Sequence, residues 1–149
     1  MRGYWKKNTG KIAAGLMFAS SLGVLSGCSS FDVQAADGPC LDDSQGCVAQ
    51  RTAIVRSMSA DPARKWIADA SGRGVVASGV RLFAYQNVRD KLSCAELTAG
   101  IADLDAAKRI LNEGPAPGQS MLRHNQIKAM TDDVRALLAA SRQRKCATA

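Results

Sequence analysis

Between Ser93 and Cys146 the chain carries two apolar stripes at helical spacing, joined by a short run rich in proline and glycine. The first opens at Ser93-Cys94-Ala95-Glu96, the Ser-x-x-Glu spacing of a capping box. There the serine oxygen and the glutamate each satisfy a backbone donor that a helix start leaves unpaired. Leu97, Ile101, Leu104 and Leu111 then fall on one side, and Gly114-Pro115 stops the helix. Lys108 intrudes on this stripe and is expected to snorkel outward. After the turn from Pro115 to Ser120, a second helix places Ile127, Met130, Val134, Leu137 and Leu138 on one face, with Lys128, Asp132 and Arg135 off it. Two amphipathic helices of similar length on a short loop bury their stripes against each other, so an antiparallel hairpin is expected. Helices of roughly 19 and 22 residues run about 28 and 33 Å. Cys94, opening one, and Cys146, ending the other, therefore meet.

The upstream part also reads as helical. From Cys47, the residues Val48, Thr52, Val55 and Met58 fall on one side, and the pattern stops before Asp61-Pro62. Asp61 is an N-cap candidate with Pro62 at the first helical position, starting a short helix through Trp66 and Ile67. Ser71-Gly72-Arg73-Gly74 breaks it. From Val75 to Leu92, helical and strand periods compete. Helix is the choice, with Val76, Val80, Phe83, Ala84 and Val88 on one face, because no partner strand or hairpin turn is evident. The fold class is thus all-α: a small disulfide-braced bundle of about four or five helices with a C-terminal antiparallel hairpin.

The start of the chain is built differently. Arg2, Lys6, Lys7 and Lys11 precede an apolar run from Ile12 to Leu25, the layout of an export signal. That run is too short to span a bilayer, which asks for about 20 apolar residues. It ends in Leu25-Ser26-Gly27-Cys28, which resembles the lipobox of bacterial lipoproteins in residue type, order and distance from the apolar run. The resemblance implies that lipid is attached to the Cys28 thiol, that cleavage follows after Gly27, and that the new amino group is acylated with chains such as palmitate. Each buried methylene contributes about 0.8 kcal/mol, so several chains hold firmly where one holds weakly. It divides the chain into a signal peptide over residues 1–27, a lipidated tether over 28–39 and a helical domain over 40–149. Ser29 after the lipid cysteine is compatible with an outer-membrane location facing the periplasm. The competing reading cleaves after Val33-Gln34-Ala35 and releases a soluble protein beginning at Ala36.

Removing the signal changes the charge balance. The full chain has 20 Lys plus Arg against 13 Asp plus Glu; the signal holds four of the bases and none of the acids, leaving 16 against 13, a net +3. So weak a cationic excess on an exported domain gives no support for a nucleic-acid partner. With Cys28 lipidated, Cys40, Cys47, Cys94 and Cys146 remain, an even number in an oxidising compartment. The hairpin pairs Cys94 with Cys146 and leaves Cys40 with Cys47. Cys40 to Cys146 with Cys47 to Cys94 is the next connectivity to consider. The spacing of these cysteines is not that of a structural zinc site, and Asp42 and Asp43 lack the alternating ligands of a calcium loop. No metal or other cofactor is expected.

Candidate catalytic groups are sparse. His124, the single histidine, precedes Asp132 and Asp133 by eight and nine residues, about 12 Å along a helix, and reads as an exposed residue of the first turn. Adjacent in sequence, Asp132 and Asp133 point about 100° apart, one of them within reach of Lys128. Gly72-Arg73-Gly74-Val75-Val76-Ala77 fits a dinucleotide-binding pattern but lacks the preceding strand that gives it meaning. Arg142, Arg144 and Lys145 form a basic cluster that can meet anionic lipid or wall polymer, or complement the helix dipole. Arg64-Lys65-Trp66 with Phe83 and Tyr85 offers cationic and aromatic side chains, which core packing also explains.

The mature part, above all Gly38-Pro39-Cys40-Leu41-Asp42-Asp43-Ser44-Gln45-Gly46-Cys47-Val48-Ala49-Gln50-Arg51, resembles a group of small bacterial envelope proteins that bring no assigned activity with them. The expected function is that of a membrane-anchored, non-enzymatic envelope lipoprotein that binds an envelope protein or supports an assembly. Alternatives are a lipid or wall-polymer binding module using Arg142, Arg144 and Lys145, and, ranked last, a wall hydrolase drawing on Glu96, Asp103, Glu113 and His124 as ordinary surface positions.

Overall fold

The computed structural model describes residues 39–147, which form five α-helices and two single 3-10 turns, with no strand among the described residues. The signal, the lipobox Leu25-Ser26-Gly27-Cys28 and the tether up to residue 38 lie outside the described residues. Helix α1 spans Gln45–Ala60 and is started by Ser44, whose hydroxyl accepts from the Cys47 backbone N–H at 3.3 Å. The residue before a proline is held out of the helical region, so Asp61 is extended and α1 ends there. The Asp61 carboxylate does accept from the Ala63 and Lys65 backbone N–H groups, at 2.9 and 3.0 Å. The helix expected after it shrinks to one 3-10 turn, Lys65–Ile67, because Arg64 takes a left-handed conformation at φ 44°.

Helices α2 (Arg73–Ser78) and α3 (Val80–Val88) occupy the segment where one helix is expected. The segment is helical, with a break at Gly79, whose φ is +74°. A Cβ there would lie 2.5 Å from Cδ1 of Ile127, so the chain turns where it meets the last helix. The Ser78 hydroxyl accepts from the Val80 N–H that the break frees. Helix α4, Cys94–Asn112, carries the full capping box between Ser93 and Glu96, and α5 runs over Met121–Cys146 behind the N-cap Ser120. In the intervening turn, buried Gln119 accepts from Ala116 N–H and donates to the Ala77 carbonyl at 2.9 Å.

Helices α4 and α5 pack together as the hairpin. Cys94 and Cys146 are disulfide-bonded at its end, with Cα atoms 5.9 Å apart, and Cys40 is bonded to Cys47 with Cα atoms 5.6 Å apart. Leu97, Leu104 and Leu111 of α4 meet Ile127, Val134 and Leu138 of α5, and Leu82, Tyr85 and Val88 of α3 complete the core. Gly100 lets α4 approach both neighbours closely, since a Cβ there would fall 2.9 Å from Tyr85 and 3.0 Å from Leu138.

Two faces differ from expectation. In α5 the buried seam runs through His124, Ile127, Thr131, Val134, Leu138 and Ser141, while Leu137 is exposed and Met130 only partly covered. Alternating steps of three and four residues keep the seam straight, and Thr131 satisfies its hydroxyl internally on the Ile127 carbonyl at 2.8 Å. In α1 the inward residues are Cys47 and Arg51, with Val48 and Thr52 turned outward. Val55 and Met58 stay half-buried on the expected side, so the departure is confined to the first turns, where the disulfide at Cys47 and the hydrogen bonds of Arg51 set the face.

Candidate functional site

Two polar clusters are built into the domain. The first is centred on Asp103 of α4, which intrudes between Ile101 and Leu104 and is only 10 % exposed. It receives Arg81 Nη1 at 2.9 Å, the Tyr85 hydroxyl at 3.0 Å and the Ser71 hydroxyl at 2.9 Å. Arg81 Nη1 also donates to the Asp69 carbonyl and to Ser71, and the guanidinium lies 5.7 Å from the centre of the Trp66 ring. Trp66 in turn meets Tyr85 edge to face at 4.9 Å and donates to the Met58 carbonyl. Burial, reinforced by the Asp103 charge, pushes the Tyr85 phenol up, so it stays protonated and donates. A cleft of about 10 Å³ lies beside Ser71, Gly79, Arg81, Asp103 and Thr131, room for a single water. Arg81 Nη2 is buried without a partner among the described residues. The arrangement locks α3, α4 and the 69–71 loop together. The three donors occupy the carboxylate as they would a structural ion pair.

The second cluster sits where the chain enters α1. Arg51, 9 % exposed at its side chain, donates to the carbonyls of Cys40 at 3.0 Å and Asp42 at 2.7 Å and reaches Cys47 Sγ. Asp43 is shared between Arg123 at 2.8 Å and Arg51 at 3.6 Å, and Arg123 also donates to the Ser78 carbonyl. Burial, then the neighbouring Arg123 charge, holds Arg51 below its ordinary value. Asp42 accepts from Ser44, which holds its carboxyl down. Both acids of the small loop are thus used in shaping it. Among the described residues no group of three or more His, Cys, Asp or Glu side chains converges as a metal site.

The sequence-derived acids do not assemble. Glu96 and Glu113 lie at opposite ends of α4, about 26 Å apart. Glu96 is bound by Arg64 at 2.7 Å and by the Ser93 N–H, and Glu113 pairs with Arg73 at 3.0 Å. Asp103 is a buried ion-pair partner, not the surface position expected. His124 is a correction too: it is 5 % exposed, with Nδ1 buried and unpartnered among the described residues, because the α5 seam begins at the first turn. Asp132 pairs across the hairpin with Lys108 at 2.6 Å instead of with Lys128, and Asp105 pairs with Arg135 at 2.6 Å.

The basic cluster lies at the disulfide end of the hairpin. Lys145 donates to the carbonyls of Asp90 and Leu92, at 2.6 and 3.2 Å, and Arg144 donates to Ser141. Arg142 is exposed. Tyr85 is fully buried, and Phe83 is 40 % exposed. The Arg81–Asp103 pair escaped the sequence reading, although its signal was present: a charge inside the apolar run Val80-Arg81-Leu82, and another inside the α4 stripe. No family model matches the chain, and neither does any curated protein or solved structure.

Proposed function

We propose that the chain is a bacterial envelope lipoprotein held to its membrane through Cys28, and that its helical domain acts without catalysis, binding a protein partner or supporting an envelope assembly. The observation that carries the reading is the Leu25-Ser26-Gly27-Cys28 stretch at the end of a basic and then apolar start. The pairing of the four downstream cysteines into two internal bridges supports an oxidising compartment. No helix among the described residues is long and apolar enough to cross a membrane. The carboxylates with nearby donors are tied into ion pairs and caps, which fits a scaffold.

Mass spectrometry of the mature N-terminus tests the anchor: a lipidated Cys28 is expected, and a free Ala36 terminus would remove the basis of the proposal. Crosslinking in intact cells followed by affinity capture tests the partner. A reproducible envelope protein is the expected result, and repeated failure to recover one counts against the binding role.

A further inference from the structure

Helices α1, α3 and α5 begin at one end of the bundle. Arg123, in the first turn of α5, ties Asp43 just before α1 to the Ser78 carbonyl just before α3. Ile127 sits against the Gly79 turn that starts α3. At the other end lie the Ser59–Asn87 hydrogen bond and the Cys94–Cys146 bridge. The chain leading back to Cys28 leaves the described domain at Pro39 and Cys40, and Arg51 holds the Cys40 carbonyl within the second cluster, at the α1 start.

Five large apolar side chains stay exposed among the described residues: Val48, Phe83, Met121, Leu122 and Leu137. Four of them lie within the first four residues of α1, α3 and α5. Met121 and Leu122 are the most open, at 60 % and 71 %, while Leu137 stands alone farther along α5. Exposed apolar groups collected at one place mark a contact surface. Here they gather where the tether leaves, and a tether of 11 residues reaches at most about 36 Å. A surface held so close is met at high effective concentration, so a shallow contact suffices.

From this placement we infer that the end carrying Met121 and Leu122, flanked by Val48 and Phe83, docks on the lipid bilayer that holds Cys28, with those side chains at the boundary between head groups and acyl chains. This rests on the lipid-anchor reading above. It sets the domain end-on, with the Cys94–Cys146 bridge and the basic cluster Arg142, Arg144 and Lys145 directed away from the membrane.

The test uses the full lipidated protein in vesicles of phosphatidylethanolamine and phosphatidylglycerol with brominated acyl chains. Leu122→Trp and Leu137→Trp are compared, against the common background of Trp66. Bromine is expected to quench Leu122→Trp several-fold more strongly than Leu137→Trp, and Leu122→Glu to abolish the quenching of a Met121→Trp reporter. Equal quenching at both positions overturns the proposal. Shielding of Leu122→Trp from acrylamide without bromine quenching overturns it too, assigning the surface to a second copy. Mass spectrometry of the same samples separates the two levels: an unlipidated Cys28 overturns the anchor and the docking together, whereas a lipidated Cys28 with unquenched Leu122→Trp overturns the docking alone.

Discussion

Replacing Asp103 with leucine leaves the Arg81 guanidinium, 7 % exposed, with only the Asp69 carbonyl and the Ser71 hydroxyl, and leaves the buried Tyr85 hydroxyl without its acceptor. With charge centres about 4 Å apart and an effective dielectric of about 20, the pair interacts by about 4 kcal/mol. Removing one partner of a buried pair costs about 3 to 5 kcal/mol, since the other charge stays desolvated. A loss near 4 kcal/mol is therefore expected for Asp103→Leu, a large share of the roughly 5 to 15 kcal/mol that holds a domain together. Asp103→Asn keeps an acceptor for Tyr85 and should lose less. The informative variant is Arg81→Met combined with Asp103→Leu, which removes both charges at similar volume. It should recover part of the loss, falling short by about 1 to 3 kcal/mol for the Tyr85 hydroxyl still without an acceptor and about 0.5 to 1 kcal/mol for the contact between Arg81 and Trp66. Urea unfolding with the disulfides intact reads all four proteins, provided the slope with denaturant stays constant. A single-variant loss below about 1 kcal/mol, or a double variant no more stable than Asp103→Leu, would refute the assignment of this pair as the lock between α3 and α4.

Arg64 first, and then the Ser93 N–H, hold the Glu96 carboxyl at about 2 against an ordinary 4.5. A carboxyl depressed in the folded state stabilises fully above its unfolded value, and that contribution is lost as pH falls from 4.5 toward 2. Glu96 is partly exposed, so the effect should be about 1 kcal/mol, and Glu96→Gln should flatten the acid limb of a stability-against-pH curve over that window. Loop-closure entropy for the 52-residue separation of Cys94 and Cys146 predicts a loss of about 4 kcal/mol when both become serine, against about 2 kcal/mol for Cys40 and Cys47. Calorimetry of the two paired variants should rank them in that order. Gly79→Ala should cost about 2 to 3 kcal/mol from its positive φ and its contact with Ile127; adding Ile127→Val should return only the steric part, as read by denaturant midpoints.

Helix positions were legible because their signals are local. Ser93 and Glu96 define a start within four residues, Pro62 and Gly114 define stops, and the α4 stripe needs no knowledge of its partner. The bridge from Cys94 to Cys146 followed from two helix lengths and a short turn. What escaped depends on contacts distant in sequence. Gly79 breaks a helix because Ile127, 48 residues on, leaves no room for a side chain. His124 is buried where the α5 seam begins, and the first turns of α1 turn Cys47 and Arg51 inward instead of Val48 and Thr52. Asp103 reads as an ordinary surface position until the fold sets it 2.9 Å from Arg81. The placement of Val48, Phe83, Met121 and Leu122 at one end likewise required knowing that three helices start there.

The small loop closed by Cys40 and Cys47 also decides how the domain bears tension. A pull on the chain toward Cys28 enters at Cys40 and passes through the covalent bridge into the first turn of α1, with Arg51 gripping the Cys40 and Asp42 carbonyls in parallel. Helix α1 runs alongside α3 in the same direction, their starts joined through Asp43, Arg123 and Ser78 and their far ends by Asn87 and Ser59. Force along that axis slides one helix past the other, so the contacts are loaded together in shear instead of being peeled one at a time. The bridge also sets the length of the leash. Opening it would free only the residues up to Ser44, letting Cys40 stand at most about 16 Å from the start of α1 before the first helical turn had to unwind.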